Sequence, residues 1–163
     1  MMKVKIFPVN PFMMNCYVYY NEENKRGVII DPGAYTDEEE NEIFEFIRRA
    51  GIKIKYILNT HGHIDHIMGN YWAKNKFNVP LVMHKDDMPL IEKSGDQAAM
   101  FGISFPRPPN PDKFITEADK IEFNDTVLDI IYAPGHSPGS VCFVDKKEKI
   151  IFFGDSITEA GVN

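Results

Sequence analysis

The chain has 163 residues, enough for one domain, residues 1–163, with a substantial core. Its composition, 44% apolar and 26% charged, reads as a soluble globular protein. A formal charge of −6 argues against a polyanion-binding surface, and no apolar run is long enough to span a bilayer, so nucleic-acid and membrane partners are not expected.

Met1–Phe7 enters an alternating strand pattern directly and lacks the extended apolar core of a signal peptide. Val4–Pro8 and Cys16–Tyr20 read as paired strands around the Asn10–Asn15 loop, and Val28–Ile30 as a third strand after a polar turn. Asp31-Pro32-Gly33 ends that strand with turn chemistry. Thr36 and Glu39 fit a capping box opening a helix whose buried stripe is Ile43, Phe46, Ile47 and Ala50 and whose stop is Gly51. Ile54–Leu58 is the next strand, and a second helix is expected to about Lys76. Val79–Met83 is a short strand. His84 follows it without a cluster and reads as a surface or loop-packing histidine.

Residues 86–118 are the least regular stretch: a short helix, then a loop stiffened by Pro106, Pro108, Pro109 and Pro111. Either a border of a site mouth or a packed surface loop fits it. Lys120–Phe123 and Val127–Tyr132 read as strands around an Asn124-Asp125 turn, and Val141–Val144 with Lys149–Phe153 as a hairpin. Cys16 and Cys142 both lie in apolar strand contexts apart from the histidines. They read as buried free thiols in a reducing, cytoplasmic setting, and not as ligands.

The chemistry is concentrated in Tyr56–Asn70. Three of the five histidines, His61, His63 and His66, fall within six residues, with Asp65 among them. The strand before them and the helical spacing of Ile64, Ile67, Met68, Tyr71 and Trp72 after them place the cluster on a strand-to-helix turn. His61 and His63, two apart around Gly62, can point the same way. Asp65 and His66 open the helix and diverge from them, which suggests two adjacent cation positions. The alternative, a solvated helix start with Asp65 near the positive end of the dipole, suits a lone histidine better than this density of ligand types. A weak internal echo joins the turn to Pro134-Gly135-His136, which also follows a strand; two β-rich halves would then bring their loop ends together at one edge.

Thr60–His66 resembles the T-H-x-H-x-D-H signature of the metallo-β-lactamase-fold hydrolases. Ala133–Ser140 and Phe152–Asp155 resemble that family's later metal loops, in the family's order. Asn15-Cys16-Tyr17 and Ile29–Gly33 resemble its glyoxalase II-like branch, that of the hydroxyacylglutathione hydrolases. The resemblance covers nearly the whole chain. It implies an α/β fold, a four-layer αββα sandwich, and a hydrolase of a thioester or related ester or amide. The small-molecule substrate would be attacked by a hydroxide held between metals. His61, His63 and His136 would hold the first metal and Asp65 and His66 the second, with Asp155 bridging; Asp65 and Asp155 are the expected catalytic carboxylates. Asp31 would support the metals from outside, and His84 is not a ligand. Zinc is expected, as one or two ions, with iron or manganese as alternatives.

One departure stands out. The family adds a further histidine to the second metal after the Gly-Asp loop, whereas no histidine follows His136 here and Asn163 is eight residues past Asp155. The family's last helices and strand would be missing, leaving an apolar face and a sheet edge through which copies could pair, and a weaker second metal. Two other readings stay open: a mononuclear iron dioxygenase like the persulfide dioxygenases of this fold, using His61, His136 and Asp155, and a metal-binding domain without activity.

Overall fold

The computed structural model describes residues 1–154 and the backbone of residues 156–159. One sheet contains β1 (Met2–Val9), β2 (Met14–Asn21), β3 (Arg26–Ile30), β4 (Lys53–Leu58), β5 (Leu81–Met83) and β6 (Lys113–Phe114), in that spatial order. The first three strands run antiparallel, while β3, β4, β5 and β6 are parallel neighbours. The second sheet is antiparallel throughout: β7 (Lys120–Phe123), β8 (Thr126–Tyr132), β9 (Val141–Asp145), β10 (Ile150–Phe153) and β11 (Ser156–Glu159) are adjacent in sequence order.

Alternation along the strands builds two cores from one sheet. On β2, Cys16 and Val18 face the helices while Tyr17 and Tyr19 face the second sheet; on β3, Ile29 takes the first side and Val28 and Ile30 the second. Tyr17 and Tyr19 close edge-on around Phe152 of β10, with ring centroids 5.4 and 5.0 Å away. The Tyr19 hydroxyl donates to Asp145 Oδ2 at 2.6 Å across the same interface. Burial and that bond push the Tyr19 phenol well above its ordinary pKa.

Helix α1 (Asp37–Ala50) covers the other face of the first sheet through Ile43 and Ile47. Both halves of the capping box form between Thr36 and Glu39, and Gly51 takes the left-handed cap conformation, φ 69°. The helix expected over Ile64–Lys76 is two helices, α2 (Ile64–Ile67) and α3 (Asn70–Phe77). It breaks at Gly69, where a Cβ would lie 2.2 Å from the Pro32 carbonyl oxygen. The Asp31-Pro32-Gly33 turn presses on the chain there, and Tyr71, one of the residues at helical spacing, is exposed.

After β5 come a 3-10 turn (Lys85–Asp87), α4 (Met88–Glu92) and α5 (Ser94–Met100). The proline-stiffened loop then leads into β6, a two-residue strand too short to be read from sequence. Phe105 and Pro106 of that loop wall a cavity of about 600 Å³ against α1 and α3, so this part packs on the helix layer. Both cysteines are free, Cys16 buried and Cys142 half-buried. Among the described residues no helix lies on the outer face of the second sheet, where Val127, Ile131 and Phe153 are exposed. The layers seen are helix, sheet, sheet: the expected αββα sandwich without its last layer. No helix among the described residues is long and apolar enough to cross a membrane.

Candidate metal centre

Because β3, β4 and β5 are parallel, their carboxyl ends open on one edge of the first sheet, as ligand-binding loops do in such sheets. Asp31 follows β3, the histidine turn follows β4, and His84–Asp87 follow β5. The second sheet delivers the 133–140 loop from β8 to the same edge. Val141 N–H donates to the Thr60 carbonyl at 2.8 Å, joining the two sheets beside His61.

His136 meets the first histidines there. His63 Nδ1 is 3.1 Å from His136 Nε2. The ring centroids of His61 lie 4.8 Å from those of His63 and 4.7 Å from His136, and His66 tilts against His61 at 3.9 Å. One ligand atom from each of His61, His63 and His136 lies within 4.8 Å of the other two. His61 and His66 are buried, His63 is half-buried and His136 is exposed, so the cluster opens to solvent on one side.

Hydrogen bonds assign the tautomers. Buried Asp31 accepts from Thr60 N–H at 2.8 Å, from the Thr60 hydroxyl at 2.6 Å and from His66 Nδ1 at 2.9 Å. With its one proton given to Asp31, the Thr60 oxygen accepts from His61 Nδ1, 3.0 Å away. The proton of His61 is therefore on Nδ1, and its Nε2 lone pair is turned away from Thr60. That atom is buried and has no hydrogen-bond partner among the described residues. Burial, then the neighbouring His66, His63 and His136, push the His61 pKa down to about 2; burial and His136 lower His63 in the same direction. A neutral imidazole with its inner lone pair free and its other nitrogen bonded to an outer oxygen, as in His61, is the form that binds a divalent cation. Two nitrogens bound tetrahedrally to zinc are about 3.3 Å apart, given bond lengths of about 2.0–2.1 Å. The His63–His136 separation of 3.1 Å is close to this. The donor set therefore fits the cation the spacing suggested.

Asp65 is part-exposed, with Oδ2 3.6 Å from His66 Nε2, so these two sit together beside the three-histidine group. Asp155 lies outside the described residues. His84 is apart from the group: it is buried, stacks on Tyr132 at 4.5 Å and accepts from Asp86 N–H through Nδ1. Cys142, expected to stand clear of the histidines, lines the same cavity of about 290 Å³ as His61, His136 and Phe153. Larger hollows exist elsewhere, but only this one holds converging metal-ligand chemistry among the described residues.

Several polar residues that hold the turn gave no signal in sequence. Asn10 Nδ2 donates to both Gly33 O and Asp65 O at 2.9 Å. Asn59 and Asn70, both buried, bond to each other, and Asn59 Nδ2 donates to His66 O at 3.2 Å. Asp87 is fully buried between the two histidine loops. None has a telling neighbour along the chain; the partners named here lie 7 to 55 residues away.

Two packed sheets with imidazoles from distant loops meeting at their shared edge mark an α/β protein arranged to hold a metal. The chain belongs to the metallo-beta-lactamase superfamily, whose family profile matches residues 9–162. Hydroxyacylglutathione hydrolase GloC of Haemophilus influenzae is 30% identical over 168 residues, spanning 99% of this chain and 74% of its own length. Among solved structures, BLEG-1 B3 metallo-beta-lactamase superposes with a TM-score of 0.81 at 27% identity, over 93% of this chain and 71% of that one. TTHA1623 in a di-iron-bound form superposes at 0.78 and 27%, over 92% and 71%.

Proposed function

We propose that this chain hydrolyses a thioester, or a related ester or amide, at a metal centre held by His61, His63 and His136. Asp65 and His66 would hold a second position, with Asp155, outside the described residues, as the expected shared ligand. The observation that supports it most is the meeting of His136 with His61 and His63, their ligand atoms within 4.8 Å. A divalent cation, when bound, supplies Lewis acidity that lowers the pKa of water towards 7 and polarises a carbonyl. The protein's own part is orientation: Asp31 and Thr60 hold the rings of His66 and His61 with their outer nitrogens engaged. The carboxylate of Asp65, part-exposed beside the cluster, is placed to take up a proton. The cavity beside His61 and His136, walled by Phe153 and Cys142, is the place for the acyl group.

Zinc is the first metal to test; the di-iron form of TTHA1623 makes iron the second and manganese the third. The likeness to GloC makes a hydroxyacylglutathione the first substrate to try. The experiment measures metal content and thioester hydrolysis for wild type and His61→Ala, each purified with zinc, iron or manganese. Wild type should bind metal and hydrolyse the thioester, and His61→Ala should lose both. Full metal content and full activity in His61→Ala would overturn the reading. So would oxygen uptake with a glutathione persulfide by the iron-loaded protein in place of thioester turnover.

A further inference from the structure

We infer that Asp87 is the positioning residue of this centre: its carboxylate ties the loop of His61 and His63 to the loop of His136 at the spacing a shared cation needs. The inference rests on the reading of these histidines as metal ligands, and not on any substrate.

Asp87 is fully buried at the end of the short turn that follows β5. Its Oδ2 accepts from Gly62 N–H at 2.7 Å, between the two histidines of the first loop. The same oxygen accepts from the Ser137 hydroxyl at 2.7 Å, next to His136. Oδ1 accepts from Gly139 N–H at 2.6 Å, three residues beyond His136. Every one of these donors belongs to a histidine loop.

The donors form a directed set. Ser140 Oγ accepts from Ser137 N–H at 3.1 Å and lies 2.8 Å from Ser137 Oγ. Ser140 can therefore donate to Ser137, leaving the Ser137 proton for the carboxylate. An ionised carboxylate, which only accepts, suits this arrangement; an amide does not, because its NH₂ would face an N–H or O–H donor. The loop passes the carboxylate in direct backbone contact: a Cβ on Gly139 would lie 2.7 Å from Asp87 N and 2.8 Å from Oδ1.

The two loops are 73 residues apart at His63 and His136, so no short stretch of chain sets their separation. The bond from Val141 to Thr60 fixes the sheet ends. Asp87 is the group that reaches both loops beyond that point. No lysine or arginine pairs with it among the described residues, so its charge is balanced by the donors and by whatever cation the histidines hold. The clamp therefore sets ligand spacing and favours positive charge at the same place. Removal of partners of this kind costs about 10–100-fold in metal affinity.

The test is cobalt(II) affinity by chelator competition, together with the cobalt absorption spectrum, for wild type, Asp87→Asn, Ser137→Ala and His136→Ala, and for Asp87→Asn combined with His136→Ala. Asp87→Asn should weaken binding about 10–100-fold and alter the spectrum. Ser137→Ala, which leaves two of the three donors, should weaken it less and remains informative if Asp87→Asn fails to fold. In the His136→Ala background the Asp87→Asn loss should largely vanish, because the ligand being positioned is gone. A residue that merely stabilised the fold would show no such coupling. Wild-type affinity and spectrum in both Asp87→Asn and Ser137→Ala, or an equal loss with and without His136, would overturn the inference alone. A wild-type protein that bound no cobalt, zinc or iron would overturn the metal centre itself.

Discussion

Gly33→Ala probes the packing that holds the histidine turn against the first sheet. A Cβ at Gly33 would lie 2.1 Å from the Asp65 carbonyl oxygen, 2.5 Å from the Met14 methyl and 2.9 Å from Asn10 Nδ2. The methyl can swing aside. The carbonyl cannot, because it is backbone at the start of α2, and it would have to move by about 1.3 Å to reach the 3.4 Å of ordinary contact. Asn10 Nδ2 bonds to both Gly33 O and Asp65 O at 2.9 Å, so parting these groups breaks at least one of its bonds. Overpacking costs about 1–3 kcal/mol, and a lost buried hydrogen bond about 1 more. The expected total, about 2–4 kcal/mol, should lower the urea midpoint by about 1–2 M at an unchanged slope of about 2 kcal/mol/M. Because the displaced carbonyl belongs to Asp65, the second metal position should be lost before the first when metal is counted. Gly95→Ala is the control: nothing lies within 4 Å of its Cβ, and it sits within α5. It should raise stability by up to about 1 kcal/mol. An unchanged midpoint for Gly33→Ala, or a fall for Gly95→Ala as large as that for Gly33→Ala, would refute the reasoning.

The metal-free protein should lose stability on acidification. Folded His61 takes up its proton only near pH 2, whereas in the unfolded chain it does so near its ordinary value of 6.5. Between those values the unfolded state binds more protons, so stability is full above about pH 6.5 and falls below it, by up to about 1.4 kcal/mol per pH unit. Chelator-treated protein unfolded in urea from pH 8 to pH 5 should show a plateau, then a decline; a midpoint that rises on acidification would contradict burial as the cause. Tyr19→Phe should leave the buried Asp145 carboxylate without its bond from the first sheet. The expected cost is about 1.5–3 kcal/mol, read as a lower midpoint with metal content unchanged; wild-type stability would show that the bond contributes nothing net.

Local signals in the sequence were reliable where the structure they encode is local. The capping box at Thr36 and Glu39, the stop at Gly51 and the alternating strands all depend on neighbours within a few residues, and all appear in the fold. The helix expected over Ile64–Lys76 shows the opposite case. Its periodicity was real, yet the turn at Pro32, 37 residues upstream of Gly69, decides where it breaks.

The histidine turn was legible because its ligand types lie within six residues, and His136 because its loop resembles a family motif. That these parts meet, with His63 and His136 nitrogens 3.1 Å apart, is a property of two sheets sharing an edge. So is the gathering of Asp31, the histidine turn and Asp87 at the ends of three parallel strands. The sequence by itself pointed to the candidate ligands and to most of the strands and helices that present them, because periodicity and capping act over one or two turns of chain. Only the tertiary structure decided which nitrogens of His61 and His66 engage an outer oxygen and which buried carboxylate holds which loop. Hydrogen bonds between segments dozens of residues apart leave no pattern along the chain.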